Sequence, residues 1–471
     1  MSDQIPIKNL DSKPETRTIE LYASRKKIYV KEIQGFFQRI RNVSLWALMG
    51  MYFLLCWINV NGQPLIHFDL PARKFHIFGT TFWPQDFVLL SWLLIICAFG
   101  LFFITTLFGR VWCGYTCPQT VWTFIFMWIE ERVEGSRNQR MKLDKAPTDP
   151  NKITKKIIKH ALWLLVAFAT GMTFVGYFYP VRELFVDFFT FNITEGYAYF
   201  WVFFFTIATY ANAGWLREQV CLYMCPYARF QSVMFDRDTM VVSYNPNRGE
   251  PRGSRKKTAD PKTAGLGDCV DCGMCVQVCP TGIDIRDGLQ YECIGCALCI
   301  DACDQIMDKM NYPKGLISYT NENKLIGEKS HIVRPKSIGY GLALIAMIGS
   351  VIYSVGTRIP VAIDVIRDRG ALYQYTGMGQ VENSYTLKIM NMSDDGQFFD
   401  VTVEGIEGIK LSTTTHFFVE SGEVYSLPAS VEVPPENIKE STQEIRFHVQ
   451  SESEADVHSL SESRFLGPVE Y

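Results

Sequence analysis

Two matching runs of cysteines near the middle of the chain constrain its fold more than any other feature. Each run has the spacing C-x2-C-x2-C-x3-C. The cysteines are Cys269, Cys272, Cys275 and Cys279 in the first run, and Cys293, Cys296, Cys299 and Cys303 in the second. Zinc sites use cysteine pairs separated by a longer gap, and disulfide frameworks belong to short secreted chains rather than to one of 471 residues. The repeated triplet with a fourth cysteine predicts two iron–sulfur clusters instead.

This spacing is that of bacterial ferredoxins, which hold two [4Fe–4S] clusters. Three thiolates placed two residues apart bind three corners of one cubane, while the fourth cysteine points away and ligates the other cluster. We therefore predict that one cluster is held by Cys269, Cys272, Cys275 and Cys303, and the other by Cys279, Cys293, Cys296 and Cys299. Pro280 follows the first run as in the ferredoxin pattern, whereas Asp304 stands where the second run usually has proline.

The cysteines are confined to the first two thirds of the chain, since all 14 lie at or before Cys303. The cluster cysteines need reducing surroundings, so we expect them to face the cytoplasm. The C-x-x-C-H signature of attached haem is absent from the sequence. Acidic residues flank the clusters, and they either tune the cluster potential and steer a donor or simply keep the domain soluble. These residues are Asp268, Asp271, Asp284 and Asp287.

Five apolar stretches are long enough to cross the hydrocarbon core of a bilayer. They cover residues 43–60, 87–107, 161–179, 198–215 and 338–355. Residues 1–42 are polar and basic without a signal-peptide cleavage pattern, so we expect a retained cytoplasmic start. The loop at 130–159 is rich in Lys and Arg, whereas 180–196 has only Arg182 against three acidic residues. Because short basic loops stay inside, five spans place the ferredoxin insert in the cytoplasm and the C-terminus outside.

The region after residue 357 changes to short alternating apolar runs. These are Tyr385, Leu387 and Ile389, then Phe399, Val401 and Val403, then Ile445, Phe447 and Val449. Such alternation, punctuated by Gly, Asn and Asp, is typical of half-buried antiparallel strands and predicts an immunoglobulin-like sandwich rather than a disordered acidic tail. The basic stretch 247–262 is predicted to be a linker, which either lies along the anionic inner leaflet or forms a solvated connector.

The predicted architecture is therefore multi-domain. An α-helical membrane domain of about five spans carries an inserted α+β two-cluster ferredoxin domain and a C-terminal all-β immunoglobulin-like sandwich. The predicted boundaries are 1–42 for a cytoplasmic segment, 43–235 for four spans, 236–335 for the linker and ferredoxin domain, 336–356 for the fifth span and 357–471 for the outer sandwich. A net charge of −3 gives no indication of a nucleic-acid partner.

A second set of cysteines forms two copies of C-x3-C-P, each after an apolar span. The first copy has Cys113 and Cys117, and the second has Cys221 and Cys225. Arg110 and Arg217 precede the copies at similar offsets, which indicates an internal repeat. On a helix, residues i and i+4 share a face, so each pair can present two sulfurs together. Four thiolates can form one soft-metal site, suited to Cu(I), zinc or an iron–sulfur cluster.

Other candidate ligands have simpler interpretations. Membrane cysteines are often small apolar fillers, and Cys56 and Cys97 receive no role on that ground. His67 and His76 can bind metal, but solvated loop residues are the simpler interpretation. His160, at the start of the third span, is treated as an interfacial histidine rather than as a ligand or proton carrier.

The order of these parts resembles the CcoG/FixG/RdxA proteins, which are accessory proteins for assembly of cbb-type cytochrome c oxidase. That resemblance rests on the paired C-x3-C-P motifs, the double-cluster insert, the last span and the exported sandwich. It implies a multi-pass protein of the bacterial inner membrane with a periplasmic sandwich. It further implies a cupric reductase that contains two [4Fe–4S] clusters and delivers Cu(I) to the oxidase copper centre. Its implied partners are copper ions, oxidase subunits or assembly factors, and an unidentified electron donor.

Three functions remain open from the sequence. In the first, the clusters carry electrons to copper bound by Cys113, Cys117, Cys221 and Cys225. The C-x3-C-P pairs are also similar to those of NapH-type membrane ferredoxins, so the second is a quinol dehydrogenase or electron conduit without copper chemistry. The third is a non-catalytic copper carrier or assembly scaffold. No Gly-rich phosphate loop supports nucleotide binding.

Overall fold

The structure of the protein is a computed structural model, and most of the chain can be described from it. The described residues are 27–60, 63–83, 86–192, 196–257, 265–357, 359–368, 370–393, 395–453 and 457–468. Most of the predicted basic N-terminal segment, including Arg25 and Lys26, lies outside these residues, as does the 258–262 part of the predicted linker.

The helices are numbered in chain order. The α-helices are α1 (Phe36–Leu54), α2 (Phe87–Phe108), α3 (Val111–Tyr115), α4 (Pro118–Glu134), α5 (Arg137–Lys145), α6 (Pro150–Gly176), α7 (Val181–Thr190), α8 (Tyr197–Thr209), α9 (Pro226–Met234), α10 (Pro246–Gly249), α11 (Met274–Gln277), α12 (Leu298–Met310), α13 (Glu322–Leu325) and α14 (Pro335–Gly356). Two π-helical segments cover Tyr210–Leu216 and Val220–Met224, and 3-10 turns cover Leu55–Trp57, Ile285–Asp287 and Pro435–Asn437.

Four helices in the described part of the chain are long and apolar enough to cross a membrane. They are Phe36–Trp57, Phe87–Phe108, Pro150–Gly176 and Pro335–Gly356. The first begins seven residues before the predicted span because Asp301, far along the chain, caps it. The Asp301 carboxylate accepts hydrogen bonds from the backbone N–H of Phe37 at 3.2 Å and of Gln38 at 2.8 Å. The third begins at Pro150, a residue suited to the first helical turn.

The remaining predicted span, 198–215, is not one of these four helices. Its α-helix Tyr197–Thr209 gives way to the π-helical segment Tyr210–Leu216. The wider turn brings Gly214 against Trp163, so that a Cβ on Gly214 would stand 3.2 Å from the indole ring. Five crossings therefore stay a prediction. The stretch 130–159 was predicted to be a loop, which is wrong, because α4, α5 and the start of α6 occupy most of it.

The strands follow the same chain order. They are β1 (Asn59–Val60), β2 (Gln63–Pro64), β3 (Ile66–Asp69), β4 (Lys74–Ile77), β5 (Thr80–Phe82), β6 (Val241–Tyr244), β7 (Ile317–Thr320), β8 (Val361–Arg367), β9 (Gln374–Tyr375), β10 (Val381–Asn391), β11 (Gln397–Glu404), β12 (Lys410–Leu411), β13 (His416–Val419), β14 (Val424–Val433), β15 (Thr442–Ser451) and β16 (His458–Leu466).

One compact unit gathers the described residues within Met1–Leu45, Phe108–Leu165 and Tyr210–Ser330. Its antiparallel pair β6–β7 packs with α11 and α12 around both cysteine runs. Part of the predicted linker belongs to this fold, which contradicts the expectation of a free connector. Arg248 donates from Nε to Asp268 at 2.6 Å, and Arg255 donates to the Tyr312 hydroxyl at 3.0 Å.

The second unit gathers Trp46–Leu107, Val166–Thr209 and His331–Tyr471. Its C-terminal part is a sandwich of two antiparallel sheets, ordered β12-β14-β10-β8 with β9 beside β10, and β13-β11-β15-β16. Tyr385, Leu387 and Ile389 on β10 are buried, as are Phe399 and Val401 on β11 and Ile445, Phe447 and Val449 on β15. The predicted alternation is therefore confirmed. The buried amide of Asn383 bridges the sheets by bonding the backbone N–H and C=O of Leu466.

The stretch between the first two long helices forms hairpins instead of the expected loop. His67 on β3 is directly opposite His76 on β4, and the two rings stack with centroids 6.3 Å apart. The interpretation of His67 as solvated is wrong, because only 7% of it is exposed. Burial lowers the pKa of His67, which keeps its imidazole neutral.

Candidate metal centres

The first predicted ligand set surrounds one cavity of the ferredoxin region. Cys269, Cys272, Cys275 and Cys303 all line it, together with Tyr244, Arg286, Met307 and other mainly apolar residues. The backbone turns between the first cysteines at Asp271 and Gly273, both with positive φ, so that α11 brings Cys275 back over the cavity. The fourth ligand comes from α12, which continues through Asp304 to Met310 because no proline interrupts it.

The second predicted set surrounds a neighbouring cavity. Cys279, Cys293, Cys296 and Cys299 line it, with Val242, Ile283, Ile285 and Ala297 among its apolar walls. Cys275 lines both cavities, so the two share a wall. The structure thus brings together each crossed set of four cysteines. Among the described residues, no three His, Cys, Asp or Glu side chains are arranged to hold a single metal ion.

The chemistry of both cavities fits an iron–sulfur cluster. The first offers four thiols and the second five, since Cys275 lines both, and each has little else that ligates a metal within apolar walls that limit solvent access. Burial raises the pKa of Cys275 to about 11 and the pKa of Cys293 to about 12. Because thiolates are the ligating form, these cysteines release protons when metal binds.

The four aspartates near the clusters all form ion pairs with arginines. Arg286 bonds Asp284 and Asp271, Asp268 pairs with Arg248 at 2.6 Å, and Asp287 lies 3.6 Å from Arg252. The side-chain hydrogen bonds from Arg286 lower the pKa of Asp284. The acidic charge on this side of the ferredoxin region is therefore largely neutralised locally.

Each C-x3-C-P motif spans a break between two helices rather than one helical face. Cys113 lies in α3, whereas Cys117 precedes Pro118 at the start of α4. Cys221 lies in the π-helical segment Val220–Met224, and Cys225 precedes Pro226 at the start of α9. The expected i, i+4 geometry is wrong for this reason, since a helix begins anew at each proline.

The two motifs nevertheless share one local geometry. The N–H of Cys117 bonds the carbonyl of Trp112 at 2.9 Å, and the N–H of Cys225 bonds that of Val220 at 2.8 Å. In both bonds the acceptor lies five residues before the donor. This equivalence supports the internal repeat indicated by the sequence, and it gives the second cysteine of each motif the same position ahead of a helix.

The four motif cysteines influence one another electrostatically, although no three of them are arranged to hold a single metal ion. Burial, and then the neighbouring thiol of Cys117, raises the pKa of Cys113 to about 12. Burial, followed by Cys117 and Cys225, raises the pKa of Cys221 to about 11. Gln231 on α9, fully buried, accepts a hydrogen bond from the Cys113 thiol at 3.4 Å. The helix after the second motif therefore contacts the first.

The first motif lies directly against the second cluster cavity. A Cβ on Gly114 would stand 3.0 Å from the Cα of Cys296 and 3.0 Å from the carbonyl oxygens of Ile294 and Gly295. The Tyr115 hydroxyl donates to the Cys296 carbonyl at 3.3 Å. Only glycine permits this approach, because a side chain at position 114 would occupy the space of the cavity backbone.

Comparisons with known proteins identify the family of this chain. The chain is 38% identical to the protein RdxB of Cereibacter sphaeroides over 418 residues, which covers 86% of this chain and 87% of RdxB. It is 37% identical to the nitrogen fixation protein FixG of Rhizobium meliloti over 424 residues, which covers 82% of this chain and 80% of FixG. The chain belongs to the FixG/RdxA family.

Family models match three parts of this FixG/RdxA family member. A 4Fe–4S dicluster domain matches residues 216–322, a 4Fe–4S binding domain matches 90–131, and the Ig-like fold at the C-terminus of FixG matches 351–468. A crystal structure of a FixG-related protein from Vibrio parahaemolyticus covers 23% of this chain and 98% of its own length, at 32% identity and a TM-score of 0.22. With its long apolar helices, the protein is an iron–sulfur membrane protein with domains typical of redox proteins.

A buried ion network connects the two C-x3-C-P motifs in this FixG/RdxA protein. Glu130, on the helix that Cys117 precedes, lies 2.9 Å from Arg217, which precedes Cys221. Burial raises the pKa of Glu130, but the charges of Arg217, Lys27, Lys159 and Arg140 outweigh it and lower that pKa to about 2. Gln119 also donates to the carbonyls of Asn212 at 2.9 Å and Arg217 at 3.1 Å.

Several residues at these centres were missed by the sequence analysis. Gly114 is at a position that the C-x3-C-P pattern leaves open, and Gln231 and Arg41 belong to no motif, so their roles come from contacts with residues far along the chain. The sequence did indicate a role for two other residues, because Arg110 and Arg217 precede the two C-x3-C-P motifs at similar offsets. Arg110 donates to the carbonyl of Cys293 at 3.2 Å, whereas Arg217 pairs with Glu130. His160 bonds the Tyr210 hydroxyl at 2.8 Å and contacts no motif cysteine through that nitrogen.

Proposed function

We propose that this protein is a membrane-bound cupric reductase that converts Cu(II) to Cu(I) for assembly of the copper centre of cbb-type cytochrome c oxidase. Each Cu(II) ion accepts one electron and leaves as Cu(I), and no proton is taken up. The electrons originate from a one-electron donor, for which dithionite can substitute in the laboratory. Family membership supports the redox part of this proposal, while the copper part rests on the motif cysteines.

In this proposal, one [4Fe–4S] cluster is held by Cys269, Cys272, Cys275 and Cys303, and the other by Cys279, Cys293, Cys296 and Cys299. When bound, the clusters supply one-electron transfer. The residues around them exclude water and keep the two ligand sets adjacent through the shared wall at Cys275.

In this proposal copper recruits Cys113, Cys117, Cys221 and Cys225, whose sulfurs move closer together than in the structure when the ion binds. Thiolates are soft ligands that favour Cu(I) over Cu(II), so binding there makes reduction of copper more favourable. The guanidinium of Arg110 stabilises the thiolate forms of Cys113 and Cys221, which copper requires. Gln231 on α9 accepts a hydrogen bond from the Cys113 thiol and so restrains the position of that side chain.

The observation that carries the proposal is the backbone contact of Gly114 with Ile294–Cys296. It puts a motif that offers soft ligands against the backbone of a cavity lined by cluster-type cysteines. A scaffold or copper carrier does not require such an approach. One-electron transfer does benefit from it, because the transfer rate falls steeply with separation.

The proposed topology puts the ferredoxin domain in the cytoplasm of the bacterial inner membrane and the sandwich in the periplasm. It keeps the domain boundaries given above and requires 198–215 to cross the bilayer as a fifth span. Oxidase subunits or assembly factors are the proposed recipients of Cu(I).

The direct experiment is anaerobic purification of the full-length protein, followed by metal and sulfide analysis and a Cu(II) reduction assay with a Cu(I)-specific chelating dye. The test variant replaces Cys113, Cys117, Cys221 and Cys225 by Ser, and the control replaces Cys56 and Cys97. We expect the test variant to retain iron and sulfide but to lose copper reduction, and the control to keep both. Unchanged copper reduction in the test variant would remove these cysteines from the mechanism.

A quinol dehydrogenase is the second candidate, and an aromatic cavity of about 670 Å³ favours it. The cavity lies in the second unit and is lined by Leu70, Pro71, Phe174, Val175, Phe178, Tyr179, Tyr197, Trp201 and Phe205. Aromatic walls with few polar groups suit a quinone ring. Cluster reduction by a quinol analogue in metal-free buffer, and its loss in Trp201→Ala, would favour this candidate over the copper reductase.

A further inference from the structure

Arg41 is a buried cation on α1 that pairs with no carboxylate in the part of the chain that the structure describes. Only 2% of the residue is exposed, and neither terminal nitrogen of its guanidinium bonds an oxygen or nitrogen acceptor among the described residues. The guanidinium stacks over the Phe124 ring at 3.2 Å. Leaving such a group unpaired in the interior costs several kcal/mol in general, so an anionic partner is expected at this position.

The packing around Arg41 identifies the side on which that anion is expected. The Phe124 ring under its guanidinium packs in one apolar cluster with Cys296, so Arg41 lies on the Cys296 side of the fold. Cys296 is also its strongest favourable electrostatic partner, and Cys279 contributes less. Both cysteines line the second cavity. A cubane held by four thiolates is a net anion whose sulfurs accept hydrogen bonds, so a cluster held by Cys296 would compensate the charge of Arg41.

The first cavity has a different electrostatic environment. Arg286 lines it, but this guanidinium is paired with Asp284 and with Asp271, so its charge is compensated. At the second cavity, Arg110 adds another buried cation that bonds only carbonyl oxygens, including those of Cys293 and Ala228. The Asp301 carboxylate on α12 is occupied by the N–H groups of Phe37 and Gln38.

We propose that Arg41 raises the reduction potential of the cluster held by Cys279, Cys293, Cys296 and Cys299 above that of the other cluster. Reduction adds one negative charge to a cluster, and an uncompensated cation against its ligands stabilises the reduced form. Electrons then collect beside Gly114 and the first C-x3-C-P motif. This inference rests on the cluster ligation in the proposed function, but it requires no copper.

The test is a redox titration of the full-length, anaerobically purified protein, followed by electron paramagnetic resonance in copper-free buffer. Arg41→Gln is the test variant, and Arg39→Gln, an exposed cation two residues away on the same helix, is the control. Each cluster should contribute half of the signal of the reduced protein. For one of the two clusters, we expect Arg41→Gln to lower the equilibrium constant for reduction by about tenfold, which is a decrease of about 59 mV in the potential for one electron. The other half of the signal and the Arg39→Gln protein should keep their potentials.

Two further variants complete the test. One shows whether the Arg41→Gln protein has simply failed to assemble its clusters, and the other shows which half of the resonance signal belongs to which cluster. Arg41→Lys retains the charge and should keep two clusters with a potential shift smaller than that of Arg41→Gln. Arg286→Gln should lower the potential of the other half of the signal, because it leaves Asp271 and Asp284 unpaired. If Arg41→Gln and Arg41→Lys both lose the second cluster, or if Arg41→Gln keeps both potentials, the electrostatic role is overturned.

Failure of this inference is distinguishable from failure of the proposed function. Absence of iron and labile sulfide from the unaltered protein would contradict cluster binding itself. Two clusters with potentials indifferent to residue 41 would contradict only the role of Arg41.

Discussion

Gly114 and Cys296 lie in backbone contact, because a Cβ on Gly114 would stand 3.0 Å from the Cα of Cys296. One residue belongs to a C-x3-C-P motif and the other to the second predicted ligand set. A π-helical region and a linker lie between these two residues in the sequence. In the fold, however, the motif and the ligand set contact each other here. That junction is where we expect electron transfer to be most sensitive to substitution.

Replacement of Gly114 by Val should disturb this junction. The new side chain meets backbone atoms that cannot rotate away, so we expect a loss of about 1–3 kcal/mol in the free energy of unfolding. Copper reduction should slow by about tenfold or more, because small displacements of reacting groups are costly. Gly100→Val is the matched control, since nothing lies within 4 Å of a Cβ there. A native reduction rate in the Gly114→Val protein would contradict a role for the contact.

Replacement of Glu130 by Gln should loosen the connection between the two motifs. The carboxylate is buried among Arg217, Arg140, Lys27 and Lys159, and its loss leaves those cations uncompensated. We expect destabilisation of about 3 kcal/mol or more, measured by thermal unfolding. Glu131→Gln, next to it on α4, is the control. Equal unfolding temperatures for the two variants would show that the network contributes little.

The same network predicts a specific dependence on pH. The pKa of Glu130 is lowered from 4.5 to about 2, so its contribution to stability is fully present above about pH 4.5 and is lost as the pH falls towards 2. The Glu130→Gln protein should lack that part of the acid sensitivity. Acid unfolding of both proteins, followed by tryptophan fluorescence over this range, tests the prediction. Parallel curves would contradict it.

The sandwich should affect stability without affecting electron transfer. Asn383→Ala removes the amide that bonds both the N–H and the C=O of Leu466, and it leaves two buried backbone groups unpaired. We expect the sandwich to lose about 1–3 kcal/mol, while the cluster potentials stay unchanged. Ser384→Ala, exposed on the same strand, is the control. A change in cluster potential in Asn383→Ala would show coupling that the account does not include.

Local patterns in the sequence predicted much of this architecture. The alternation at Tyr385, Leu387 and Ile389 is confirmed because strand burial follows a period of two, which a sequence displays directly. The cysteine runs predicted ligand sets that the structure gathers around two cavities, because the ferredoxin spacing is a property of a short segment. The assignment of those cysteines as ligands stays a prediction.

Features that depend on distant contacts could not be predicted in this way. The start of α1 at Phe36 depends on Asp301, and the environment of Arg41 depends on Cys296. The motif cysteines were expected on single helices because the i, i+4 rule is local, but the prolines after Cys117 and Cys225 begin new helices. The basic residues of 130–159 were treated as loop charges, whereas Arg140, Lys156 and Lys159 hold buried carboxylates.

The most direct test of the central claim is a single-turnover experiment on the full-length protein. The clusters are reduced with dithionite, excess reductant is removed, and Cu(II) is added anaerobically while cluster absorbance and Cu(I) are followed together. We predict one Cu(I) for each electron stored, with rapid cluster oxidation that is lost when Cys113, Cys117, Cys221 and Cys225 are replaced and kept when Cys56 and Cys97 are replaced. Cluster oxidation by Cu(II) at the same rate in both variants would contradict the claim that these four cysteines receive the electrons.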